Sequence, residues 1–153
     1  MKKNIKLITL LTLFALVFSG CEEKKEWSLF YGFTNEDIIG SYSYSNIDDA
    51  FDNLLESQWC HLCPDAKVNI MPGSGSLVRF RLESESADFS RTVEDFSTQE
   101  GNDFMIMMEE NPYEVSAYVY KDAKDHLRLH GFVRKHVGGS NVNYYFDVIK
   151  DND

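Results

Sequence analysis

The chain holds three cysteines, at positions 21, 60 and 63, and the spacing of these thiols defines the chemistry open to them. Cys60 and Cys63 form a Cys-x-x-Cys pair, which can close a disulfide, exchange electrons or supply two metal ligands. Because a structural zinc ion takes four ligands and this pair supplies two, we predict no metal site. Cys21 stands alone, directly after an apolar segment.

We predict a disulfide between Cys60 and Cys63, because an exported chain meets an oxidising compartment and these are the only two thiols left once Cys21 is set aside. Apolar residues in the segment 47–58 recur at helical spacing, with Asn46 as a candidate N-cap, which predicts one short helix over 47–58. Cys60 would then follow the helix C-terminus, where a thiolate is disfavoured. The string Trp59–Pro64 resembles the WCxxC site of thioredoxin-like proteins, which implies redox activity, but no βαβ pattern surrounds it. Free thiols and thiol redox chemistry therefore stay open as alternatives.

A second set of reactive side chains lies between 126 and 136, in a segment of alternating polar and apolar residues. On a strand its polar members share one face. If they faced a lumen, they would hold an anionic head group beside an apolar wall; if they faced water, they would pair with acids on neighbouring strands. The candidate ligand-binding residues are Met105, Met107, Tyr118, His126, Arg128, His130 and Arg134.

Composition and motifs argue against catalysis and against nucleic-acid binding. The chain has 15 Lys+Arg, 25 Asp+Glu and a formal net charge of −10, which disfavours a polyanionic partner. It contains no GxSxG, HExxH, P-loop or GxGxxG string, and its carboxylates are scattered along predicted loops. We therefore predict a protein that is not an enzyme and needs no cofactor.

The first 21 residues have the layout of a secretory signal. Lys2, Lys3 and Lys6 precede an apolar run over 7–18, which ends at Ser19 and Gly20. The run is shorter than the roughly 20 residues that a spanning helix needs. Cleavage after Gly20 would remove three lysines and no acids, leaving a mature chain with a net charge of about −13.

The string Phe18-Ser19-Gly20-Cys21 resembles the lipobox of bacterial lipoproteins. The resemblance implies cleavage before Cys21 and acylation of this residue, and two or three acyl chains would anchor the protein firmly. The acidic run that begins at Glu22 resembles the export signal of Bacteroidetes surface lipoproteins. It implies an outer-membrane location, on the periplasmic side or at the cell surface, with the surface favoured.

The remainder of the sequence is dominated by period two, which predicts a mainly β domain. Alternating segments separated by turn residues indicate about eight strands, mostly joined by short turns into an antiparallel meander. We expect a signal peptide over 1–20, the lipidated cysteine and a tether over 21–36, and a single β-rich domain over 37–153. The segment 87–97 fits either a helix or a strand, and we favour the strand.

The start of this domain, Asp37–Tyr42, resembles the opening strand of lipocalin-like (calycin-like) barrels. Its end, His130–Val133 and Tyr144–Val148, is similar to the closing strands of such domains in Bacteroidetes lipoproteins. The resemblance implies a small closed barrel. The helix and the cysteine pair depart from that pattern, so a curved α+β sheet with a packed helix, of the cystatin or NTF2 type, is the alternative.

Three functions follow as hypotheses. The first is a non-enzymatic barrel that binds a hydrophobic or amphipathic small molecule and is attached to the outer membrane by its lipid. The second is a protein-interaction or inhibitor module of an envelope complex, with the aromatic segment 27–33 as candidate contact material. The third is a thiol redox protein that uses Cys60 and Cys63.

Overall fold

A computed structural model describes residues 26–44, 56–75, 77–96 and 104–152, and within these ranges the protein is mainly β. In the part of the chain that the structure describes, ten strands join one sheet, and one helix, α1, spans Asn35–Ile38. The strands are β1 Ser28–Leu29, β2 Gly40–Tyr44, β3 Cys60–Leu62, β4 Lys67–Pro72, β5 Val78–Ser84, β6 Phe89–Phe96, β7 Met105–Glu110, β8 Tyr113–Lys121, β9 Leu127–Val137 and β10 Ser140–Lys150.

The sheet consists of two antiparallel meanders, β2–β4–β5–β6 and β7–β8–β9–β10. They are joined because the last strand, β10, pairs with β2. Two short strands were not expected: β1 adds to the edge of β8, and β3 runs parallel to β10. The predicted strand at 87–97 is confirmed as β6, and the predicted strands that became β2, β4, β5 and β7–β10 are confirmed as well.

The period-two pattern separates an inner from an outer face on each strand. In β9, Leu127, Leu129 and Val133 are buried in the core, while the polar residues between them face outward. Side chains from both meanders meet in this core: the ring of Phe80 on β5 lies 5.5 Å from that of Phe146 on β10, centroid to centroid. The interior is thus occupied by packed side chains.

Local sequence explains the connections. Gly138 and Gly139 both have positive φ, 55° and 89°, as a two-residue hairpin turn between Val137 and Ser140 requires. Thr34 caps α1, since its hydroxyl accepts a hydrogen bond from the Asp37 backbone N–H while the Asp37 carboxylate accepts one from the Thr34 backbone, as a capping box predicts.

Gly131 lets β9 approach β8 closely. A Cβ at this position would come within 2.1 Å of the Ser116 carbonyl oxygen and 2.5 Å of the Ala117 Cα. No larger residue fits there without separating the strands.

The expected barrel closure is not confirmed. Within the described ranges the ladder ends at β6 on one side and at β1 and β7 on the other. Side chains nevertheless connect β6 to the β7–β8 hairpin: Arg91 forms an ion pair with Glu110 at 3.5 Å and lies over the Tyr113 ring. The coarser prediction, a mainly β antiparallel fold, holds.

Two predicted boundaries need correction. The helix over 47–58 falls largely outside the described residues, but its last part is not helical: Ser57 forms a bridge with Cys60, and a turn connects them. The folded body also starts earlier than residue 37, because β1 and α1 belong to it. No helix in the described ranges is long and apolar enough to cross a membrane.

Candidate functional site

The polar stripe of β9 lies on the outer face of the sheet. Arg128, His130 and Arg134 alternate with buried residues, so they point away from the core. Of the two arrangements considered from the sequence, the structure has the second, in which the cations pair with acids across the strands.

Asp147 on β10 is the centre of this pairing and is fully buried. Its carboxylate accepts hydrogen bonds from Arg128, with Nε at 2.7 Å from Oδ1, and lies 3.1 Å from Nδ1 of His130. Burial raises the pKa of Asp147, but the hydrogen bonds from Arg128 and His130 outweigh burial and hold that pKa below its ordinary value. Asp147 therefore stays ionised.

Aromatic rings cover the outer side of this ion pair. The Arg128 guanidinium lies 5.9 Å from the ring centroid of Trp27 and 5.6 Å from that of Tyr120. Only 15% of the Arg128 side chain is exposed. The ion pair is therefore shielded from solvent, which makes it part of the fold and unavailable to an anionic ligand.

The other two cations of the predicted set are also paired. His126 belongs to the β8–β9 turn, where its Nδ1 lies 2.7 Å from Oδ2 of Asp122. Burial raises the pKa of Asp122, but hydrogen bonds from His126 and Lys124 lower it further than burial raises it. Arg134 lies on β9 between Glu114, at 3.3 Å, and Asn143, at 3.0 Å.

The predicted apolar wall lies on the outside as well. Met105 and Met107 are half-buried beside the buried Ile106 and Met108. Tyr118 is exposed, and its ring stacks on that of Phe104 at 5.9 Å. The structure thus brings Met105, Tyr118 and His130 together on one outer surface, with β8 between β7 and β9.

This outer surface continues into the N-terminal segment. Tyr31 is exposed and its ring contacts that of Phe104 at 5.2 Å, and Trp27 lies over Arg128. We name this surface the lateral patch. It comprises Trp27, Tyr31, Phe104, Tyr118 and Tyr120.

The cysteine pair is not bonded in the structure, where both thiols are free. Cys60 lies on strand β3 and contacts Tyr145, whereas Cys63 is buried in the core and contacts Ser84. The two side chains thus have different surroundings, because Cys60 is partly exposed and Cys63 is buried. The disulfide between Cys60 and Cys63 stays a prediction.

The protonation of both thiols is favoured. Burial and then the Glu56 charge raise the pKa of Cys60. Burial raises the pKa of Cys63 to about 11. Since the thiolate is the nucleophile, neither position has the electropositive surroundings of a catalytic cysteine.

A second aromatic cluster lies further along β9 from the Asp122 turn, on the same outer face of the sheet. The ring of Phe132 lies 5.6 Å from that of Tyr145, and the Arg134 guanidinium lies 4.8 Å from the Phe132 centroid. The backbone of Trp59 lies beside β10, since its carbonyl accepts a hydrogen bond from the Asn143 backbone, and the Trp59 side chain is exposed. We name Trp59, Phe132, Arg134 and Tyr145 the far-end surface.

An open depression of about 640 Å³ lies beside β4, β5 and β6. Asp65 organises its rim, accepting hydrogen bonds from the hydroxyls of Ser84 and Ser86 and from the backbone of Glu85 and Ser86. Burial raises the pKa of Asp65, but these hydrogen bonds hold it well below its ordinary value. The walls are mostly polar or acidic: Asp65, Lys67, Glu83, Ser84, Glu85, Asp88, Phe89 and Ser90.

Among the described residues, no group of three or more His, Cys, Asp or Glu side chains is placed to hold a metal ion. No family model, curated protein or solved structure matches this chain. The functional argument therefore depends on the geometry above.

Sequence reasoning missed Asp147, Asp65 and Trp59 as important positions. The signal for Asp147 was present, because it belongs to the outward phase of β10, but its pairing with His130 depends on strand register. Trp59 was identified only as the first residue of the string that resembles a WCxxC site.

Proposed function

We propose that the protein is an envelope lipoprotein, anchored through acyl groups on Cys21, whose β body is a non-enzymatic module that binds a partner protein. The observation that supports surface binding is the packed interior, together with the outward position of Met105, Met107 and Tyr118. A small apolar ligand would need a cavity among the core residues, where Phe80 and Phe146 instead contact each other.

The far-end surface is the binding surface in this proposal. It presents Tyr145 and Arg134 beside Phe132, and the exposed Trp59 lies in the turn before the adjoining strand β3. Trp, Tyr and Arg are the residue types that dominate binding energy in protein interfaces. Trp59 is 45% exposed, so about half of its ring is open to a partner. Arg134 is already oriented by Glu114 and Asn143, so little side-chain entropy would be lost when a partner binds.

The described chain begins away from the far-end surface. The described chain enters beside Lys121, at the end of β8 that carries the Asp122 turn. Arg134 is six residues along β9 from Arg128, a distance of about 20 Å at the rise of an extended strand. The far-end surface is thus accessible while the lipid holds the other end.

The anchor is tested by Cys21→Ala in the native cell. We expect the variant to lose labelling by radioactive palmitate and to leave the membrane fraction, because the chain would keep no acyl group. Cys60→Ser is the matched control and should still be labelled and remain in the envelope. Undiminished labelling of Cys21→Ala would contradict the anchor.

Partner binding is tested by photo-crosslinking in cells from a residue next to Trp59. We expect one discrete protein adduct, which Trp59→Ser and Phe132→Ser reduce about tenfold or more, in line with interface hot spots. Tyr44→Ser removes an exposed ring on β2 and should leave the adduct unchanged. A small molecule retained in native mass spectrometry, with no effect of Trp59→Ser, would instead support ligand binding.

The thiol hypothesis is the least supported of the three, because the pKa values of Cys60 and Cys63 are both raised. Cys60→Ser should leave crosslinking intact, whereas a loss of function in this variant would favour redox chemistry.

A further inference from the structure

We propose that the lateral patch docks on the headgroup layer of the phospholipid bilayer that holds the anchor, so that the β body lies on its side against the membrane. The inference rests on the proposed acylation of Cys21 and goes beyond it, since an anchored body could equally stand on its end. It concerns the part of the outer face nearest the anchor, around Tyr118 and Tyr120, whereas the surface assigned to the partner protein continues on the same face along β9 beyond His130.

The length of chain before the fold supports this contact. Cys21 lies five residues before Glu26, the first described residue, and five extended residues span at most about 18 Å. Trp27 follows directly and already packs on the sheet over Arg128. The edge formed by β1 and β8 must therefore stay close to the bilayer surface.

The residue types of the lateral patch suit a headgroup layer. Trp and Tyr concentrate at membrane–water interfaces, where an apolar ring with one polar group is most stable. The patch contains Trp27, Tyr31, Tyr118 and Tyr120, and Tyr31 is 62% exposed. The carboxylate beneath it, Asp147, is fully buried under Arg128 and presents no charge to lipid phosphates.

The charge at the end of the body disfavours the upright orientation. The turn between β8 and β9, helix α1 and the C-terminal end of β10 lie at the same end, where Lys150 donates a hydrogen bond to the Asp37 carbonyl. This end would bring its acids against lipid phosphates. Its acids outnumber its lysines: Glu36, Asp37, Asp122, Asp125 and Asp151 against Lys121, Lys124 and Lys150.

The test uses the full lipidated chain in phosphatidylcholine vesicles that contain brominated acyl chains. The native tryptophans are replaced by Trp27→Phe and Trp59→Phe, and one reporter is added, Tyr118→Trp or Tyr44→Trp. These two tyrosines are exposed to a similar degree, 40% and 38%, but lie on different parts of the sheet. We expect quenching of the Tyr118→Trp reporter to be at least about twofold stronger, because only that ring would enter the interface.

Flotation of the same vesicles separates the two proposals. Protein that fails to float with vesicles contradicts the anchor. Protein that floats but shows equal quenching at both reporters overturns the docking inference alone.

A photo-crosslinker in place of Tyr118 in native cells adds a second readout. Adducts to lipid support docking. A discrete adduct to another protein, or to a second copy of this chain, overturns it.

Discussion

Asp147 and Asp65 both have pKa values below the ordinary one, but the two regions that hold them achieve this differently. Asp147 is fully buried in the middle of the sheet, and its partners, Arg128 and His130, come from the neighbouring strand β9. Asp65 is exposed at a turn, and its partners are hydroxyls and backbone N–H groups at Ser84–Ser86, where β5 turns into β6.

Asp147 thus belongs to an ion pair between neighbouring strands, whereas Asp65 caps a turn. The charge of Asp147 is tolerated only because cations and aromatic rings from three other elements surround it. Asp65 could be replaced by another acceptor at little cost, because water reaches its carboxylate. Loss of one of these charged partners is thus expected to destabilise the whole outer face of β9 and β10.

The largest expected effect is that of Asp147→Ala. It leaves the Arg128 guanidinium buried without a counter-charge, and the free energy of unfolding should fall by about 3–5 kcal/mol. Urea denaturation followed by circular dichroism measures this. The double variant Asp147→Leu/Arg128→Met restores a neutral pair and should recover most of the loss; if the single and double variants were equally unstable, the uncompensated charge would not be the cause.

The pH dependence of stability should follow from the same residue. The folded pKa of Asp147 is lower than the unfolded value near 3.9, so its contribution is fully present above about pH 4 and is lost as the pH falls through the folded pKa. Asp147→Asn should flatten the fall in unfolding free energy below about pH 4. Denaturation midpoints at several pH values measure this slope, and an unchanged slope would contradict the assignment.

Asp65→Ala should have a smaller effect, about 1 kcal/mol, as for the loss of a cap. Solvent reaches the site, so the freed hydroxyls and N–H groups can bind water. Hydrogen exchange should increase at the Glu85 and Ser86 amides while β9 remains protected. A loss as large as that of Asp147→Ala would remove the distinction between the two regions.

The smallest expected effect concerns the two thiols. Cys60 contacts Tyr145 on the strand that carries Asp147, and Cys63 contacts Ser84, which also binds Asp65. At pH 8, alkylation of folded protein by iodoacetamide should be slow at both cysteines and slower at Cys63, which is buried and has a pKa of about 11. Peptide mass spectrometry gives the two rates. Alkylation of Cys63 faster than that of Cys60 would contradict the burial that separates them.

Much of the fold could be predicted from the sequence, because a sheet with one buried face imposes a period of two. The alternations at 68–70, 78–82 and 127–133 identified β4, β5 and β9 without any tertiary information. The helix over 47–58 was predicted from spacing alone, and its end is a turn because Cys60–Leu62 pairs with β10, an interaction between residues about 80 positions apart.

The candidate site was predictable only in its residue types. The sequence identifies Arg128 and His130 as members of a cationic row. Whether that row faces a lumen or the outer surface depends on which face of β9, that of Arg128 or that of Leu129, packs against the second meander. The acid that pairs with them is 17 or more residues away in sequence, and register brings it opposite His130.

By itself, the sequence determined strand positions, turn positions and the phase of each strand, because these follow from local periodicity and from glycines such as Gly138 and Gly139. The tertiary structure decided that the interior is packed with side chains, that Trp27 covers Arg128 and that Cys63 is buried in the core while Cys60 contacts Tyr145. These features depend on contacts between strands that are distant in sequence. The free energy of such contacts is set by burial and by the pairing of charges, and the local spacing of residues determines neither.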